Sequence, residues 1–317
     1  MIDEYLAGQD ALVASGERAE RTVERYRQHL EGHVAPRLGT VPVQKLTPER
    51  LARFFNDKRK DGLAPWTLRG LLTPLRRTLA LAVRRRYIAE NPLDRLSREE
   101  LPRGRSKDAP RVLSRDDVER LISHAPDRYR TLIATDAYTG MRIQELLAVQ
   151  WRHVNFDTGV IHVRGQLTRG SRTNPPRIEK LKTRAGARDI VLLPMLADVL
   201  RKHRREAFSA GRAGPDNYVF ETSEGTPFNY RNVATRGLDK AASGAGLNRS
   251  GLPRLSFYDL RHTYGSHLVR QGLDPVRVAR QMGHARPSIT LDIYSHEFEE
   301  ARGTDDIAAR LTAAFGA

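Results

Sequence analysis

Between Ser97 and Arg111 the chain reads Ser-Arg-Glu-Glu-Leu-Pro-Arg-Gly-Arg-Ser-Lys-Asp-Ala-Pro-Arg, with no apolar residue recurring at a helical or strand period. A stretch so rich in charge, proline and glycine has no face to bury, so it reads as an interdomain linker over residues 97–111. It forces a two-part organisation, in which residues 1–96 and residues 112–317 each close a core of their own. A chain of 317 residues is long enough for two such cores.

The two parts carry different patterns. Before the linker everything is helical, with one helix expected over Ala19 to Val34. Another is expected after Thr47-Pro48, where Thr47 caps and proline fills the first turn. From Thr67 to Arg86, Leu68, Leu72, Leu75, Leu79, Ala82 and Val83 share one helical arc, and Arg69, Arg76, Arg77 and Arg84 share the next. Such a helix can enter a core with one face and follow phosphates with its neighbour; a solvated arginine face is the plainer alternative. Pro74 either kinks this helix or starts a new one at Thr73-Pro74.

Past the linker, Ser114 caps a helix with Asp117 three residues on, and helical patterns run to about Trp151. The period then changes. Gly159–Arg164, Arg177–Leu181 and Arg188–Leu193 are short β-rich runs between turn-prone residues, before helical patterns resume at Pro194. The fold class expected is mainly α with a small antiparallel sheet set among helices, an α+β chain.

The net charge is +16, and residues 1–105 hold 21 of the 54 basic and 14 of the 38 acidic side chains, so both parts are basic. That suits contact with a polyanion along the whole length, although an arginine-favouring genome gives the same balance. The absence of cysteine excludes thiol chemistry, disulfides and cysteine-ligated zinc, and fits a reducing compartment. Met1-Ile-Asp-Glu-Tyr5 lacks the apolar run of a signal peptide, and no apolar stretch reaches membrane-spanning length. A soluble, cytoplasmic protein with no membrane partner is expected.

Four separated segments each offer a residue suited to a phosphodiester. In Thr139-Gly-Met-Arg-Ile-Gln-Glu-Leu-Leu147, Gly140 interrupts one helix and Arg142 is expected in the first turn of the next, where amides and a guanidinium both favour phosphate. Glu145 lies one turn on and can orient that arginine, although such pairs are commonly surface ion pairs. Lys182 sits on an apparent turn between two strands, within reach of a leaving oxygen. In Phe257-Tyr-Asp-Leu-Arg-His-Thr-Tyr-Gly-Ser266, Tyr258 and Arg261 are spaced to share a helical face, and His262 reads as a packing residue. In Asp274–His284 a helix starts at Asp274-Pro275, ends at Gly283 and leaves His284 on the turn. Ser288 is then expected to cap the next helix, which carries Tyr294 near its end, before a C-terminal tail helix.

In this order and spacing, the arginine motif, the lysine before a strand, Asp259-Leu-Arg-His-Thr263, Met282-Gly-His284 and a tyrosine ten residues later resemble the tyrosine recombinases of the phage-integrase type. The resemblance spans roughly residues 110–300, and the helical N-terminal part resembles the family's core-type DNA-binding domain. It implies site-specific DNA recombination, integration or excision, through a 3′-phosphotyrosyl intermediate. Tyr294 would be the nucleophile, Arg142 and Arg261 phosphate clamps, Lys182 the general acid and His284 a further donor. Arg69, Arg76, Arg77 and Arg84 would be DNA-binding residues. No metal or nucleotide cofactor is implied, because the phosphotyrosine linkage conserves the bond energy.

The physical logic agrees. A tyrosine hydroxyl titrates near about 10 in water, so attack needs a base or strong electrostatic help, and fixed guanidiniums supply such help to a charged phosphorane. One position departs from the family pattern: where a histidine would complete His-x-x-Arg, this chain has Tyr258. A tyrosine donates a hydrogen bond but shuttles no proton near neutral pH. His262, His267 and His296 are expected to be structural. The chain begins almost at the core-binding helices, which leads one to expect no arm-site domain.

Partners expected from the resemblance are double-stranded DNA, three further copies in a homotetramer on two DNA sites, and an accessory directionality factor. At the end, Ile307, Leu311 and Phe315 form a short apolar stripe that must dock, on its own catalytic domain or on a neighbour. DNA relaxation of the type IB topoisomerase kind and an inert DNA-binding protein of the same fold are the competing readings.

Overall fold

The structure, a computed structural model, describes residues 1–104, 110–168, 170, 175–181, 183–302 and 312–316. It divides into two compact units, residues 1–109 and residues 110–317.

The first unit is all helix: α1 (Ile2–Ala14), α2 (Glu20–His29), α3 (Ala35–Leu38), α4 (Pro48–Lys60) and α5 (Pro65–Arg84). Its core is a single hydrophobic cluster in which Leu30, Leu51, Phe55, Leu71 and Leu93 are fully enclosed, each burial stabilising by roughly 1.5–3 kcal/mol. Thr47 accepts from the Arg50 amide and caps α4 as its position suggests. The helix expected to end at Val34 does not stop there. A π-turn over Leu30–Val34 leads directly into α3, which tolerates Pro36 because a first-turn residue needs no amide bond. The Thr67–Arg86 pattern is one helix starting at Pro65. Pro74 lies buried inside it and starts no new helix, and Thr78 Oγ1 donates to the Pro74 carbonyl at 2.9 Å. Leu96 and Leu101 pack on this core, so the opening of the charged stretch is held rather than free.

The second unit begins with α6 (Arg115–Ser123), capped by Ser114, then α7 (Asp127–Thr139) and the one-turn α8 (Ile143–Leu146). The β region follows: β1 (Val154–Asn155), β2 (Val160–Val163), β3 (Gln166–Leu167), β4 (Ile178–Glu179) and β5 (Arg188–Val191). It forms two antiparallel sheets, β1-β2-β5 and β3-β4. The second expected strand shrinks to two residues that pair with Gln166–Leu167, which no sequence signal marked. In the larger sheet Ile161 faces Ile190 and Val163 faces Arg188 across the ladder. The burial alternation then turns Arg188 and Ile190 to the core.

The remaining helices are α9 (Pro194–Ser209), α10 (Tyr230–Asn232), α11 (Asp239–Gly244), α12 (Phe257–Arg270), α13 (Pro275–Met282) and α14 (Pro287–Arg302). The chain is therefore mainly helical with small antiparallel sheets. Helices α12, α13 and α14 pack on one another, and α12 also packs on α7. That arrangement gathers the segments that carry Arg142, Arg261, His284 and Tyr294.

Candidate active site

Gly140 ends α7 in the left-handed region (φ 56°), where a side chain would collide with the Tyr264 ring. The turn delivers Arg142 as the residue just before α8, not within its first turn. Glu145 answers it twice: its Oε2 accepts from the Arg142 backbone amide at 3.1 Å and its Oε1 from Arg142 Nη1 at 2.8 Å. Arg142 Nη2 donates to the Gly283 carbonyl at 3.2 Å. Its side chain is still 46% exposed, so the guanidinium is held and also accessible.

Arg261 is held from the other side. Ser256 and Asp259 form a reciprocal cap that starts α12, and Arg261 lies buried four residues past Phe257. Its Nη1 donates to the Gly140 carbonyl at 2.7 Å, and its Nη2 to the Met282 carbonyl. Burial and the neighbouring charges of Arg142 and Arg188 lower its pKa to about 10, which leaves it cationic at neutral pH. Each arginine thus fastens on a turn belonging to another motif. Residues more than a hundred positions apart become one rigid cluster.

Asp274 caps α13 through the Val276 and Arg277 amides, and Gly283 ends it at φ 64°. His284 follows on the turn, its Nδ1 at 2.8 Å from Thr290 Oγ1. Burial, followed by Arg261, Arg142 and Arg188, pushes its pKa down to about 4. The imidazole is therefore neutral near pH 7; in the tautomer whose Nδ1 accepts from the Thr290 hydroxyl, Nε2 carries the ring proton.

Ser288 lies inside α14, which starts at Pro287, so it does not cap that helix. Tyr294 has the non-helical angles φ −118° and ψ 18° at a kink where two helices meet within α14, so it stands at the end of the stretch that starts at Pro287, as expected. Its ring is enclosed and lies 5.6 Å from the His262 ring. Its hydroxyl packs so close to Gly265 that any side chain there would strike it, and among the described residues it has no hydrogen-bond partner. Burial raises its pKa above the ordinary tyrosine value; Arg261 acts against that rise, while Tyr258 and Glu297 add to it.

Tyr258 and Arg261 do not share an environment despite their spacing. Tyr258 is 61% exposed, whereas Arg261 is enclosed. Tyr258 sets its ring edge-on to His262 at 4.3 Å, which puts His262 between Tyr258 and Tyr294. His267 approaches the Leu113 carbonyl at 3.2 Å, and His296 approaches Glu297 at 2.9 Å. Lys182 lies outside the described residues.

The sequence reading missed Arg188. It is buried and bonded to Glu145, Gln281 and Gly186. The available signal was its place two residues before Ile190, on the inward face of a strand. Of the arginines on α5, Arg69 and Arg84 are exposed. Arg76 is paired with Asp94, and Arg77 lies over the Tyr26 ring at 5.8 Å. Among the described residues, no group of three or more histidine or acidic side chains is placed to hold a metal ion. No described helix is long and apolar enough to cross a membrane.

Comparison with known proteins points one way. The family model described as the phage integrase family matches residues 111–301. A tyrosine recombinase XerC-like protein of Caldanaerobacter subterraneus subsp. tengcongensis is 24% identical over 298 residues, covering 88% of this chain and 75% of that protein. The tyrosine recombinase XerC of Xanthomonas campestris pv. campestris is 27% identical over 282 residues, covering 87% and 78%. Among solved structures, the Tn1549 transposon integrase in complex with transposon right end DNA superposes with a TM-score of 0.78 at 20% identity, over 100% of this chain and 99% of that one. At that identity the superposition speaks to the fold alone. Because the family match takes in well over half of the sequence, this chain belongs to the phage integrase family and is a site-specific tyrosine recombinase.

Proposed function

We propose that this recombinase cleaves duplex DNA with Tyr294 and rejoins it to a second strand. The Tyr294 oxygen bonds to phosphorus as the bond from phosphorus to the 5′ oxygen breaks, leaving a 3′-phosphotyrosine. Arg142 and Arg261 balance the charge on the five-coordinate phosphorus, and His284 donates a further hydrogen bond. Lys182 gives a proton to the departing 5′ oxygen. The reverse step, attack by a 5′ hydroxyl, restores both groups, so bond energy is kept and no nucleotide is spent. Tyr258, exposed beside His262, serves as a hydrogen-bond donor at the rim.

The interlock of Arg142 with the Gly283 turn and of Arg261 with the Gly140 turn carries this reading. It presents one exposed and one buried guanidinium beside a neutral imidazole. In the described structure the Tyr294 hydroxyl is covered, so attack requires DNA to draw the tyrosine out at its backbone break.

The partners of this reading are double-stranded DNA, three further copies of the chain on two DNA sites, and an accessory directionality factor. The described tail residues 312–316 are all exposed, with Phe315 at 82%, which favours a neighbour's surface for the apolar stripe; Ile307 and Leu311 lie outside the described residues.

The test is covalent capture. A duplex that the wild-type chain recovers from a randomised pool is nicked and incubated with wild type and with Tyr294→Phe. The wild type should give a denaturant-stable protein–DNA adduct, and the variant should bind equally and give none. An adduct from Tyr294→Phe ends the assignment.

A further inference from the structure

The second unit buries a guanidinium that the proposed chemistry leaves unused. Arg188, on the inward side of β5, reaches three segments at once. Its Nε donates to the Gln281 carbonyl at 2.7 Å, its Nη1 to the Gly186 carbonyl at 3.1 Å, and its Nη2 to Glu145 Oε2 at 2.9 Å. Glu145 in turn holds Arg142 through both the side chain and the backbone amide. At Gly283, a side chain would run into the Arg188 guanidinium, while the Gly283 carbonyl accepts from Arg142. Arg188 therefore backs both Arg142 and the turn that ends in His284.

Its side chain is only 5% exposed, and Nε, Nη1 and Nη2 each already donate to a protein oxygen, so it is spent on the protein itself. A charge so placed is costly unless every partner is in place, and losing it leaves Glu145 and two carbonyls short of a donor. We infer that Arg188 is a positioning residue of the recombination site: by pinning Glu145 and the Gln281–Gly283 turn, it fixes where Arg142 and His284 meet the reacting phosphate. The inference rests on the roles proposed for Arg142 and His284.

A consequence in pH separates positioning from general support of the fold. Glu145 is faced by Arg142 from the turn before α8, by Arg188 from β5, by Asp136 from α7 and by Arg261 from α12. Burial works to raise the Glu145 pKa, yet Arg188 and Arg142 outweigh it and hold the carboxylate below its ordinary range. Without Arg188 that balance tilts toward burial, and the Glu145 pKa rises. As pH falls through the raised value, Glu145 takes a proton and its hold on Arg142 weakens. In the wild type the carboxylate stays charged over the same range.

The experiment follows the rate of adduct formation on the nicked duplex recovered from the randomised pool, from about pH 8 down to about pH 5.5. Wild type is compared with Arg188→Met, Arg188→Lys and the double variant Arg188→Met/Glu145→Gln, each checked for a cooperative melt above the assay temperature. Arg188→Met should be slower by roughly ten- to a hundredfold at the alkaline end, as for a misplaced catalytic group. It should then lose further rate toward acid where wild type does not, and Glu145→Gln in that background should remove the added acid loss. A wild-type pH profile in a folded Arg188→Met overturns the inference. If Arg188→Met does not fold, Arg188→Lys decides: its ammonium stays beside Glu145 but cannot span the Gln281 and Gly186 carbonyls, so its rate should drop at an unchanged pH profile. A wild-type rate for Arg188→Lys overturns the inference. A wild type that forms no adduct overturns the reading of Tyr294 itself, a result separate from either variant's.

Discussion

In the first unit Arg76 meets Asp94, Arg85 meets Glu4 and Arg27 meets Asp10, and both members of each pair are well exposed. In the second unit Arg188 and Arg261 are almost wholly enclosed and donate to carbonyls and to one buried carboxylate. Surface pairs of the first kind are worth about 0–1 kcal/mol and exchange readily for other anions, including phosphates. Guanidiniums of the second kind are held by every partner around them, and their direction is set before any substrate arrives. One residue type thus takes two forms, loosely paired at the surface of the first unit and fixed in direction inside the second. In the proposed reaction the first form would follow a polyanion and the second would set the geometry around one phosphorus atom.

Removing a buried guanidinium from the second unit tests that contrast most sharply. Arg261→Ala leaves the Gly140 and Met282 carbonyls without their donor and should destabilise the chain by roughly 2–5 kcal/mol. Urea unfolding should show this together with loss of the covalent adduct. A fully stable Arg261→Ala would mean that the two arginine classes do not differ.

A change at Lys182 should spare stability and strike the rate. Lys182→Ala should slow cleavage by roughly 10²–10⁴-fold, the usual yield of a placed proton donor. A duplex with sulfur at the leaving 5′ position, which needs little protonation, should recover most of that loss. Equal slowing on both duplexes would make Lys182 a binding residue only.

The smallest effect belongs to the exposed class. Arg69→Ala with Arg84→Ala should leave the melting temperature nearly unchanged and flatten the slope of log affinity against log salt by roughly one to two units. An unchanged slope would place that face of α5 away from the DNA. Arg76 and Arg77 are poorer probes, because Asp94 and Tyr26 already engage them.

Much of this molecule can be read along the chain, for local reasons. The Ser114 and Thr47 caps, the Asp274 start, the Gly283 stop and the buried leucine arc of α5 are all where the pattern puts them. Each depends on dihedral preferences and hydrogen bonds within about one turn of helix. The order of the arginine, histidine and tyrosine motifs is likewise a property of the string, and it sufficed to identify the family. The misreadings occur where a neighbour distant in sequence outvotes the local preference. Pro74, for which the string left a kink or a new start open, stays inside one helix because the surrounding core buries it. Gln166–Leu167 becomes a strand because Ile178–Glu179 lies alongside.

The same division runs through the site. That Arg142, Arg261, His284 and Tyr294 are present at those positions was settled by the sequence. Only the packing of α7, α12, α13 and α14 made Arg142 accessible, enclosed Arg261, lowered the His284 pKa and covered the Tyr294 hydroxyl. Arg188 gave no motif at all, since its partners come from residues 145, 186 and 281, and which side of β5 it faces follows from the ladder with β2. Local rules fix backbone shape over a few residues, whereas the charge state and direction of a side chain depend on what surrounds it, and those surroundings exist only after folding.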